Sequence, residues 1–103
     1  MADKIEKARA RAVAAAEALA NLKAQYEVEA ARIEDDYDRS VNGEGPHIAA
    51  SIAQSRRQRA LNTLQSRYKS QLIAYEEKRD QAVLEAAQLT ERLKVMMASL
   101  PPE

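Results

Sequence analysis

Apolar residues in the first part of the chain recur at steps of three and four. Ile5, Ala8, Ala12, Ala15, Leu19, Leu22 and Tyr26 mark one face of a helix, and Ala30, Ile33 and Tyr37 continue it. The pattern breaks once, at Val41-Asn42-Gly43-Glu44-Gly45-Pro46-His47, which holds both glycines and one of the three prolines. It resumes as Leu61, Leu64, Tyr68, Leu72 and Tyr75, then Ala82, Ala86, Leu89, Leu93, Met96 and Leu100. Two long amphipathic helices folded back on one another are therefore predicted. The expected organisation is a single domain over 1–103: helix 1 over about 3–40, a turn at 41–46, helix 2 over about 46–99 and a short tail at 100–103. Asp3 and Glu6 read as a capping box at the first helix start. Pro46 suits the first position of the second helix, and Pro101 and Pro102 cannot continue it.

Both stripes contain one irregularity. Leu22 to Tyr26 to Ala30, and Leu64 to Tyr68 to Leu72, step by four and four, so a unit of eleven interrupts the heptads and locally unwinds a supercoil. Setting these irregularities at similar distances from the turn suggests a register in which Tyr26 meets Leu61, Leu19 meets Tyr68, Ala15 meets Leu72, Ala12 meets Tyr75 and Ile5 meets Ala82. Large side chains then mostly face small or slender ones, which favours close packing. In that register the segment from Glu85 to Ser99 has no partner within its own hairpin, although Val83, Leu84, Ala87, Val95 and Met97 broaden its apolar stripe. Near the turn, Ile48 and Ile52 project away from the side that carries Leu61 and Leu64, where the seam passes through Ala50, Ala53 or Gln54, and Arg57.

Composition changes this picture in one respect. Twenty-one alanines, four tyrosines and no Cys, Trp or Phe among 103 residues, with 31% charged, leave too few bulky groups for a conventional globular core. Stability is expected to come from extended seams or from other copies of the chain. Sixteen basic and sixteen acidic residues cancel, so no whole-molecule field draws the protein to nucleic acid or an anionic membrane. No apolar run approaches the ~20 residues that a bilayer span needs, and Met1-Ala2-Asp3-Lys4 opens no signal-peptide core. A cytoplasmic setting is expected, in agreement with the missing cysteines.

Candidate chemistry is sparse. Arg56, Arg57, Arg59 and Arg67 form the sharpest charge feature, and Arg56, Arg59 and Arg67 share a flank that could grip phosphates or an acidic protein. Pairing with Glu27, Glu29, Glu34, Asp35, Asp36 and Asp38 across the hairpin is the preferred reading, with Arg57 fixing register from within the seam. The run Glu34-Asp35-Asp36-Tyr37-Asp38 splays its carboxylates around a helix rather than alternating them along a loop, so it reads as a solvated face and not a cation site. His47 is the only histidine and reads as a surface residue, and the four tyrosines read as seam packing. Gly43-Glu44-Gly45-Pro46 is too short for a phosphate-cradling loop. No catalytic residue, metal or cofactor is expected.

The size and mid-chain turn resemble those of two groups of small helical hairpins, the secreted hairpins with a Trp-x-Gly turn and the needle subunits of type III secretion. The resemblance is one of architecture, since this turn has no Trp and its proline stands alone. It implies one alternative function, a secreted hairpin of a secretion system. The main expectation is an all-α, coiled-coil-like antiparallel hairpin that oligomerises into a helical bundle as a homodimer or higher assembly. It would act without catalysis as an assembly, scaffolding or adaptor protein, bacterial or phage in origin given its alanine and arginine content. Leu84, Leu89, Leu93, Met96 and Met97 would carry self-association, and Ile48 and Ile52 contact with another protein. A small nucleic-acid-binding regulator using Arg56, Arg57 and Arg59 is the other alternative, ranked below a protein partner.

Overall fold

The computed structural model describes residues 2–42 and 49–99, and among these it is two long helices with no strand: α1, Ala2–Asn42, and α2, Ala50–Ala98. The chain is an all-α antiparallel helical hairpin. Two compact units make it up. One joins the start of α1, through Ala20, to α2 from Ile73 onward; the other is Asn21–Leu72.

The helix ends follow from local chemistry. Asp3 falls in the first turn of α1 and Arg39 in its last, each complementing the partial charge that unpaired amides or carbonyls leave at that end. α2 has no acidic residue in its first turn. The carbonyl of Ala49 accepts from the N–H of Ile52 and of Ala53, both at 3.0 Å, so Ala49 occupies the cap position with no side-chain oxygen to offer. Serine and threonine within the helices bond back one turn, as in Ser40 Oγ to the Asp36 carbonyl at 2.8 Å and Thr90 Oγ1 to the Ala86 carbonyl at 2.8 Å. At the turn α1 runs past its expected end, to Asn42, while α2 begins at Ala50, later than the expected start near Pro46. Pro46, His47 and Ile48 lie outside the described residues, as do Leu100, Pro101 and Pro102.

In Asn21–Leu72, the face of α1 carrying Leu22, Tyr26, Ala30, Ile33 and Tyr37 is buried or half-buried throughout, as is that of α2 carrying Ala53, Arg57, Leu61, Leu64, Tyr68 and Leu72. Tyr26 stacks on Tyr68, ring centroids 4.3 Å apart at 31°. Tyr68 lies seven residues beyond Leu61, the partner expected for Tyr26, so the register differs from the sequence reading by one heptad. The cause is the connection. With α1 ending at Asn42 and α2 starting at Ala50, the helices meet further along α2, and a slip of seven returns stripe to stripe.

The other unit shows the consequence. Ile5, Ala8 and Leu19 are buried there, Ala8 with 0% exposure, and Ala82, Ala86, Leu89 and Leu93 are half-buried. Arg11 pairs with Glu85 at 2.8 Å. The expectation that Glu85 onward lacks a partner within the hairpin is thereby corrected: the fully exposed end of α2 begins at Lys94. The six buried residues of the described chain, Ile5, Ala8, Leu19, Leu22, Ala53 and Leu64, include two alanines, and none is polar or charged. Such a core stabilises mainly through close helix approach rather than through bulk.

Candidate interaction surfaces

Arg57 and Arg67 are the cross-helix cations of the basic segment. Arg57 is half-buried and donates from Nε to Glu34 Oε2 at 2.9 Å and from Nη2 to Glu34 Oε1 at 2.7 Å. This bidentate match of a planar fork to a carboxylate sets both helices in one alignment. The guanidinium carbon also lies 5.7 Å from the centre of the Tyr37 ring, within range of the ring's negative face. The Arg57 hydrogen bond holds the Glu34 carboxyl below its ordinary value against the opposing effect of desolvation, and the same bond pushes the Arg57 guanidinium up. Arg67 pairs with Glu29 through Nη2 and Oε2. Of the six acidic residues expected across the hairpin, Glu29 and Glu34 are the two that form cross-helix pairs among the described residues.

Arg56 and Arg59 stand apart from these pairs. Both are exposed, and among the described residues neither forms an ion pair. With Arg67 they edge an open groove whose floor is Ile33, Ala60 and Leu64, and whose α1 side carries Glu29 and Arg32. Arg32 was not singled out in the sequence, because on a helix its distance from Arg56 is visible only once the register is known. A neighbouring trough at the start of α2 is formed by Ser51, Ile52, Ser55, Arg56 and Arg59. Among the described residues, no three acidic or histidine side chains converge as a metal-ligating set.

The apolar residues expected to meet other molecules fall into two classes. Leu84, Met96 and Met97 are exposed, together with Ile52, Val83 and Val95, each between 50 and 63%. Leu89 and Leu93 are half-buried within the hairpin's own seam. Ile73 joins the exposed set, although it had not stood out beside the main stripe. Ile48 lies outside the described residues. Gln88, Glu91, Arg92, Val95 and Met96 together form a shallow, mostly apolar depression on the outer side of α2. No helix among the described residues is long and apolar enough to cross a membrane.

Comparison with protein-family models, with curated proteins and with solved structures returned no match.

Proposed function

We propose that the protein is a non-catalytic assembly, scaffolding or adaptor component that works through self-association and protein contact. One observation carries the reading. Val83, Leu84, Val95, Met96 and Met97 leave more than half of their surface open on the last third of α2, in a chain whose described core contains six residues. Several exposed apolar side chains gathered on one stretch of helix, beside so small a core, support a surface that another chain covers. Arg56 and Arg59 support a protein with acidic character as a further partner.

Sedimentation equilibrium of the intact chain tests the proposal. A mass of two or more chains is expected, falling in the variant Met96→Lys, Met97→Lys while helicity stays unchanged, because both side chains are exposed in the hairpin. A wild-type chain that remains a monomer at every accessible concentration overturns self-association.

A further inference from the structure

We infer that the groove between α1 and α2 within Asn21–Leu72 receives an acidic amphipathic helix of another protein, its apolar stripe on Ile33, Ala60 and Leu64 and its carboxylates on Arg32, Arg56 and Arg59. The inference rests on the protein-contact reading proposed above and names the site and the chemistry of the partner.

The charge of this groove is one-sided. Among the described residues it is lined by four arginines, Arg32, Arg56, Arg59 and Arg67, and by one carboxylate, Glu29, which is already paired with Arg67. Arg32, Arg56 and Arg59 are exposed and form no ion pair among the described residues. Arg32 stands on α1 and the other two on α2, so both rims carry a free cation. Arg56 and Arg59 lie three apart on one helix, where like charges repel. Carboxylates brought by a partner would remove that repulsion.

The floor decides which kind of anion fits. Ile33 and Ala60 are half-buried and Leu64 is buried, so the bottom of the groove is apolar. A phosphate backbone would meet the arginines and leave this surface uncovered, whereas a peptide with apolar side chains between its carboxylates covers both. All three floor residues lie inside helices, whose backbone groups are bonded along their own chain. With no free edge to pair with, an incoming segment must satisfy its own backbone, as a helix does. From Arg56 to Arg67 the rim rises about 16 Å at 1.5 Å per residue, room for a helix of about three turns.

Fluorescence anisotropy with three labelled probes tests this on the intact chain. The first probe is a helical peptide of leucine, glutamate and alanine with its leucines on one face. The second has the same composition in an order that disperses the leucines around the helix, and the third is a single-stranded oligonucleotide of similar charge. The first should bind on the order of tenfold or more tightly than the other two, and less tightly as salt is added. Arg32→Gln with Arg56→Gln and Arg59→Gln should weaken it on the order of tenfold or more with helicity unchanged, since all three residues are exposed. The inference is overturned if the first peptide does not bind, if the dispersed peptide or the oligonucleotide binds as tightly, or if the arginine variant binds like wild type. Sedimentation of that variant separates this site from self-association, since its mass should equal that of wild type. A lower mass would give the groove to a second copy, overturning the inference while self-association stands. A monomeric wild type that binds the first peptide removes self-association and upholds the groove.

Discussion

Arg57 and Glu34 are joined by two hydrogen bonds from one guanidinium to one carboxylate, at 2.9 and 2.7 Å, close to where the hairpin turns back. The pair has a pH signature. Glu34 carries a carboxyl held below its ordinary value of 4.5 by the Arg57 hydrogen bond, so folding is favoured by its ionised form. The contribution is fully present above the unfolded-state value and is lost as pH falls through the lower folded one. Urea unfolding followed from neutral pH downward should show wild type more stable than Glu34→Gln at neutrality, with the gap closing below 4.5. A gap that stays constant to strongly acidic pH would show that the ion pair is not its source.

The stacked rings of Tyr26 and Tyr68 report the register. A double-mutant cycle with Tyr26→Leu and Tyr68→Leu should give a coupling of about 0.5–1.5 kcal/mol, the range for aromatic pairs in contact. The cycle pairing Tyr26→Leu with Leu61→Ala should give a clearly smaller coupling. Equal couplings in both cycles would argue against the observed alignment.

Burial separates residues that look alike in the sequence. Leu64 is 5% exposed, and Leu64→Ala should cost about 2–3 kcal/mol, near the lower end for core leucines because a two-helix seam can partly collapse. Val28 is half open to solvent, and Val28→Ala should stay within about 0.5 kcal/mol of wild type. At the fully covered Ala8, Ala8→Leu should destabilise by about 1–3 kcal/mol through overpacking. Thermal unfolding by circular dichroism distinguishes the three.

The start of α2 offers a gain rather than a loss. Ala49 supplies the backbone carbonyl of a cap but no side-chain acceptor, and α2 has no acid in its first turn. Ala49→Asp should stabilise the protein by about 0.5–2 kcal/mol, through a hydrogen bond to a free amide and the favourable charge at a helix N-terminus. An unchanged melting temperature would mean that Ala49 does not hold the cap position in solution.

Much of this architecture was legible in the residues themselves. Every apolar position assigned to the seam of α1, from Ile5 to Tyr37, is buried or half-buried. Alternation by three and four decides which face turns inward, and it did so even through the Leu22, Tyr26, Ala30 step. It does not decide how far one helix slides along the other. A heptad pattern looks the same after a slip of seven, so Tyr26 could be matched to Leu61 as readily as to Tyr68. Only the length of the connection between Asn42 and Ala50 distinguishes them, and helix ends are the least certain part of any reading from sequence. The same error exaggerated the uncovered end of α2, for Leu89 and Leu93 share their unit with the buried Ile5 and Ala8. On the arginine segment, charge pairing held for Arg57 and Arg67. Arg56 and Arg59 edge the groove beside Glu29 and Arg32 yet form no ion pair among the described residues, and the composition of the segment alone carries no such distinction.

The cross-helix ion pairs differ greatly in the length of chain they close: 23 residues for Arg57 and Glu34, 38 for Arg67 and Glu29, and 74 for Arg11 and Glu85. Closing the longest of these loops from an open chain costs about 1 kcal/mol more entropy than closing the shortest. Loop closure alone therefore favours the pair nearest the connection first, each pair formed shortening the loop left for the next. Pulled apart by its termini, the hairpin would open in the opposite order, with Arg11 and Glu85 parting first and Arg57 and Glu34 last.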